Sequence, residues 1–180
     1  MRRIRASAAI AAAVLVVSVP ALAAEGASPA DVFDRLQSMA GTWNVTAEQV
    51  AGEPEGEGGP LEAVHEFRLS AGGTVVMEVM GAGTDHEMIN MFHMDGDDLV
   101  LTHYCAGGNQ PTMKLDREML AQGKTHFAFT GGTNLEAEAD HHIHAATLDW
   151  KDDGTVVADW SAWGGGEEVG VMRFELTRAE

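Results

Sequence analysis

Only one cysteine, Cys105, occurs in the 180 residues, so no disulfide can form within the chain. Basic residues are scarce as well: 11 Lys and Arg stand against 28 Asp and Glu, a net charge of −17. A surface that acidic repels phosphate backbones and anionic lipid, which disfavours nucleic-acid and membrane-surface partners. Past residue 24 no apolar stretch approaches the ~20 residues needed to span a bilayer as a helix. No Gly-x-Ser-x-Gly, phosphate loop or His-Glu-x-x-His occurs anywhere, so three common routes to catalysis have no motif here.

What is present begins with an export signal. Arg2, Arg3 and Arg5 precede an apolar run from Ala8 to Val19, and Pro20 leads into Ala21-Leu22-Ala23. That order of charge, apolar core and small residues predicts a cleaved secretory leader over residues 1–24 and a periplasmic or secreted mature protein. No cysteine stands near the cleavage point, which disfavours a lipid anchor. Removing the three leader arginines would take the net charge from −17 to −20. In an exported chain a leftover thiol is buried, reactive or paired between chains, and burial is commonest because free cysteine packs as a small hydrophobe.

Residues 25–41 read as a short helix and its lead-in. Ser28 is an N-cap, Pro29 suits the first helical position, and Gly41 ends the run. Val32, Phe33, Leu36, Met39 and Ala40 share one face at helical spacing. From Thr42 to the end, residues 42–180, the period becomes two. Strands are predicted at 42–50, 62–69, 74–80, 86–94, 99–105, 112–117, 124–130, 142–150, 155–163 and 168–178, separated by turn-forming "SAGG", "DGDD", "KDDG" and "GGGEE". About ten short strands without intervening helices predict a single all-β domain, an antiparallel up-and-down barrel whose closure removes both sheet edges. Loops are expected at 51–60 and 131–140.

Alternation places His103 and Cys105 on one strand face with Leu99 and Leu101. It likewise places His142 and His144 on one face with Ala146, Leu148 and Trp150. Side chains two apart are roughly 7 Å apart along a strand, too far for a strong direct hydrogen bond but suited to converging on one ligand. His103, Cys105, His142 and His144 therefore form a candidate metal cluster, since imidazole and thiolate suit zinc and copper. Met88, Met91 and Met94 would add soft ligands, although the ten methionines are scattered and serve equally as adaptable core. The competing reading is a polar barrel floor, with the histidines bonded to Asn109, Gln110, Asp140 or backbone. A thiolate at Cys105 activated by His103, with Gly107 and Gly108 amides as an oxyanion hole, lacks an orienting acid. The loop "GGNQP" is explained by turn chemistry, and Asn109 and Gln110 would also rim a pocket mouth. His65, His86, His93 and His126 are scattered and carry no functional reading. Trp160 is expected in the core, whereas Trp163 has the opposite parity, toward solvent or a partner.

Three resemblances bear on this. "GTWNVTAE" (41–48) is similar to the first strand of calycin-type barrels, the lipocalins and their relatives. There a helix leads into Gly-x-Trp and a basic residue of the last strand packs on the tryptophan; the likeness implies that Gly41, Trp43 and Arg178 close the barrel base. "MFHMDGDDLVLTHYCAGGNQPTM" followed by "HHIHAATLDW" and "FELTR" resembles a family of secreted bacterial barrels of unassigned function. A weaker likeness to nitrobindin-type haem barrels implies a histidine ligand shortly before the terminal motif. Val171 occupies that place here, with Met172 beside it.

The expected function is non-catalytic binding of a small, largely apolar molecule inside the barrel, recognised by His103, Cys105, Asn109, Gln110, His142 and His144, without a cofactor. The alternatives are a zinc-, copper- or haem-dependent binding protein or enzyme using His103, Cys105, His142 and His144, or a structural or interaction domain, the latter favoured if the barrel is solidly filled.

Overall fold

The computed structural model describes residues 26–52 and 60–180. The expected leader and most of the acidic loop at 51–60 lie outside the described residues.

Helix α1 (Pro29–Ser38) opens with a capping box: the Asp31 amide donates to Ser28 Oγ, and the Ser28 amide donates to Asp31 Oδ2 at 2.8 Å. Ten strands follow in the predicted order: β1 (Gly41–Gly52), β2 (Leu61–Ser70), β3 (Val75–Met80), β4 (Met88–Asp95), β5 (Asp98–Tyr104), β6 (Gln110–Leu115), β7 (Thr125–Thr133), β8 (His142–Trp150), β9 (Val156–Gly164) and β10 (Glu167–Arg178). Each pairs antiparallel with its neighbour in sequence, and β1 pairs with β10, so the sheet is a closed up-and-down barrel. Closure gives every strand a hydrogen-bonded neighbour on both sides.

One element was not expected. The predicted sixth strand ran to residue 117, but β6 stops at Leu115 and a short helix, α2 (Arg117–Ala121), follows. Asp116 caps it by accepting from the Glu118 and Met119 amides at 2.8 and 3.0 Å, and Leu120 is buried beneath it.

The two barrel ends differ. At one end α1 drives Val32, Phe33, Leu36 and Met39 into the core formed by Val45, Phe67, Val76, Phe92, Leu101, Met113, Phe127 and Leu176. Trp43 Nε1 donates to the Met39 carbonyl at 2.8 Å, and the Arg178 guanidinium lies 4.7 Å from the Trp43 ring. Arg178 also donates to the carbonyls of Ala40 (3.0 Å) and Ser38 (2.9 Å), tying the last strand to the helix exit. Gly41 turns there with φ 134°, and a Cβ at that position would stand 2.8 Å from Arg178 Nη1.

At the other end register shifts interrupt β1 between Gln49 and Ala51, β10 between Glu168 and Gly170, the β6–β7 pair at Thr112/Met113, and β8 between Ile143 and Ala145. Bulges bend strands and re-aim side chains at a barrel rim. Residues 103–110 and 134–144 lie at this second end.

Candidate functional site

The barrel interior is apolar at the helix end and crossed by a chain of polar side chains above it. Register aligns them: Glu78 of β3 pairs with Asn90 of β4, and Asn90 pairs with His103 of β5. All three point inward and are buried, as is His65 of β2. His65 Nδ1 donates to Glu78 Oε1 at 2.9 Å; Asn90 Nδ2 donates to Glu78 Oε2 at 2.8 Å and lies 3.1 Å from Met80 Sδ; His103 Nδ1 donates to Asn90 Oδ1 at 2.7 Å.

The polarity of this chain follows from its members. The Glu78 carboxylate accepts from both sides, so Asn90 must turn its amide nitrogen toward Glu78 and its oxygen toward His103. His103 therefore carries its proton on Nδ1, leaving Nε2 as a bare lone pair. That Nε2 is fully buried and has no hydrogen-bond partner among the described residues. Burial lowers the His103 pKa from 6.5 to about 4, against a smaller opposing pull from the Glu78 charge, so the imidazole is neutral at neutral pH. Its ring lies 5.6 Å from that of Trp160, which reaches inward from β9. Trp160 is core, as expected.

His65 is thus not an isolated histidine. It was passed over because one inward histidine on a strand carries no signal until its cross-strand neighbours are known. Glu78 and Asn90 were missed for the same reason, although a Glu within the apolar "VVMEVM" and an Asn within "MINMF" are the kind of break in an inward stripe that marks a buried polar pair.

Cys105 lies just past the end of β5, half-buried, while Tyr104 beside it is exposed. The Gly107 amide donates to Cys105 Sγ at 3.3 Å and the Gly108 amide to the Cys105 carbonyl at 2.9 Å, so both proposed oxyanion-hole donors are engaged within the turn. Asn109 is buried; its Nδ2 donates to the His141 carbonyl at 2.8 Å, and its Oδ1 has no partner among the described residues. Gln110 Oε1 accepts from Thr133 Oγ1 and Asn134 Nδ2, both at 2.8 Å, and Gln110 Nε2 donates to the Gly108 carbonyl at 2.9 Å. Asn109 and Gln110 therefore fasten the β5–β6 turn to the β7–β8 connection.

His142 and His144 form a second, separate cluster. His142 is buried, its Nδ1 donating to the Asp140 carbonyl at 2.9 Å, and its Nε2 lies 3.0 Å from His144 Nδ1. The direct bond corrects the expectation that residues two apart stand too far apart to bond. His144 is the residue that the β8–β9 register skips at the β8 bulge. Its ring is stacked on Trp163 at 3.8 Å and on Phe129 at 4.7 Å. Trp163 thus covers one face of the His144 ring. Burial first, and then repulsion from His142, lower the His144 pKa; Glu138 and Glu168 oppose this.

Of the four residues grouped as a metal cluster, the structure brings His142 and His144 together and joins His103 to a different network. Among the described residues no three His, Cys, Asp or Glu side chains are placed to hold one metal ion, so the donor set does not fit a three-ligand zinc or copper site. The enclosed cavity between α1 and the polar chain, lined by Leu36, Met39, Phe92, Glu78 and Trp160 among others, measures about 10 Å³. That is room for one water at most. Among the described residues no helix is long and apolar enough to cross a membrane.

No protein-family model matches the chain, and no curated protein is significantly similar to it.

Proposed function

We propose that this is an exported, non-catalytic barrel that binds a small, largely apolar molecule in its interior, reached from the bulged end. The observation that carries this reading is the His103 Nε2 lone pair, held in one tautomer by Asn90 and Glu78 inside an otherwise apolar lumen and left without a donor among the described residues. Burying a polar chain weakens a core that hydrophobic residues would fill at lower cost, and an unpartnered acceptor within it costs about 1–3 kcal/mol more. A bound molecule that donates to Nε2 offsets that cost. Room comes from side chains that yield readily: Met80, against Asn90, and Met88, packed on the core at the same end, are unbranched and adaptable.

The test is direct. The mature protein is purified from cells, its metal content and visible spectrum are recorded, and its melting temperature is followed with aliphatic alcohols, amides and fatty acids. A colourless, metal-free protein that melts higher with one of these classes is the expected result. A stoichiometric ion or a Soret band, lost in His142→Ala and His144→Ala, replaces this reading with the metal- or haem-dependent one.

The small size of the enclosed cavity favours a second reading, a structural or interaction domain. It is distinguished by a melting temperature that no small molecule moves.

A further inference from the structure

Two buried polar atoms near the bulged end lack partners among the described residues, His103 Nε2 and Asn109 Oδ1, and both are acceptors. Their polarity is not free to change. His103 Nδ1 is committed as a donor to Asn90 Oδ1, so Nε2 can only accept. Asn109 Nδ2 is committed as a donor to the His141 carbonyl, so the edge of that amide left over is its oxygen. A third such atom, Trp150 Nε1, belongs to the opposite end, where the Arg35 guanidinium covers its ring at 4.8 Å.

The two acceptors belong to one hairpin. The β5–β6 register runs through Thr102 opposite Thr112, and the Cys105 amide donates to the Asn109 carbonyl at 3.1 Å, which sets residue 105 opposite residue 109. His103 and Asn109 are therefore diagonal neighbours on one face of the hairpin, with backbones roughly 7–8 Å apart, a spacing at which long side chains interact. Both side chains are buried, so both look away from solvent.

Resting on the interior-binding reading above, we infer that the ligand is an uncharged molecule whose polar end is a hydrogen-bond donor, an NH₂ or a pair of hydroxyls, set on an apolar body. Such a group gives one hydrogen to His103 Nε2 and one to Asn109 Oδ1, and each acceptor then recovers the bond it lost on leaving water. A carboxylate brings further acceptors to a place that already holds two without donors. An ester brings the same carbonyl with nothing to give. A site built around fixed acceptors rejects analogues that cannot donate, because its own buried groups then stay unpaired. The class excluded is the fatty-acid anion, the molecule a generic apolar barrel would otherwise be expected to hold.

Benzamide, methyl benzoate and benzoate share a ring and a carbonyl and differ in donors and charge, which makes them the probes. Binding of each to the full chain is measured by calorimetry at neutral pH. Benzamide is expected to bind about tenfold or more tightly than methyl benzoate, with benzoate weakest. In His103→Phe, which keeps a ring and removes the acceptor, that preference is expected to collapse to near unity. A measurement on the unmodified protein guards against a variant that fails to fold: the ¹⁵N resonance of His103 Nε2 shifts on addition of benzamide and not of methyl benzoate. Ester bound as tightly as amide, or an unmoved Nε2 resonance with amide bound, overturns the donor inference while interior binding stands. Failure of all three probes to bind removes the interior-binding reading and this inference with it, and leaves an ordered water as the donor to both atoms.

Discussion

Asn90 Oδ1 accepts the Nδ1 proton of His103 at 2.7 Å, directly across the β4–β5 pair, and its own amide nitrogen is spent on Glu78. That single contact sets the tautomer of a buried imidazole and decides which of its nitrogens looks into the barrel. Asn90 acts here as a relay of polarity: it turns the accepting character of a carboxylate on β3 into the accepting character of a ring nitrogen on β5.

Acid should weaken the fold through His103. The unfolded imidazole takes a proton near 6.5 and the folded one only near 4, so between those values the unfolded state binds more protons. The stability present above pH 6.5 is lost progressively down to about pH 4 and the loss then levels off. Its size is on the order of 3 kcal/mol. Urea unfolding at intervals from pH 7 to pH 4 should show a steeper decline for the native protein than for His103→Phe, and equal slopes would contradict the assignment.

Replacing Asn90 by leucine breaks the chain at its middle. Glu78 Oε2 and His103 Nδ1 both lose a buried partner, each at about 1–3 kcal/mol, so denaturant unfolding should register a combined loss of about 2–6 kcal/mol. The His103 ring should also lose its tautomeric preference, which the ¹⁵N shifts of its two nitrogens report directly.

At the plugged end, Gly41→Ala forces a side chain into a backbone with φ 134° and a Cβ against Arg178. A cost of about 1–3 kcal/mol is expected. Arg178→Ala removes two hydrogen bonds to the helix exit and the contact with Trp43, for about 1–2 kcal/mol given its exposure. Because both changes act on the same contact, the double variant should lose less than the two losses combined.

Trp163→Ala uncovers one face of His144. Desolvation is the main reason that histidine resists protonation, so its titration midpoint should move up toward the ordinary value of a free imidazole. Side-chain NMR titration of both proteins measures the shift. A midpoint that stays put would assign the effect to His142 instead.

Much of the fold was legible in the chain. Ser28-Pro29 marked where α1 begins, period-two alternation placed all ten strands, and Gly-rich turns separated them. The overlooked α2 had its own signal, Asp116 as N-cap and Gly123 two residues past the helix end, outweighed by the alternation that precedes it. At the site, alternation correctly put His103 inside with Leu99 and Leu101. It did not show that the β8–β9 register skips His144, because a bulge adds a residue and its placement depends on the partner strand.

The amino-acid sequence by itself determined that this chain becomes an all-β barrel with a helix at its N-terminal side, because alternation and turn chemistry are local properties of the backbone. It also supplied His103 and Asn109 as candidates. Tertiary structure alone decided what those residues do. Glu78, Asn90 and His103 lie on three strands, and they meet only because two registers bring them into line; a slip of one residue in either would turn a whole strand's inward set to the outer face. Register is fixed by turns, bulges and the closure of β1 on β10 together, so it is a property of the finished barrel and of no single segment.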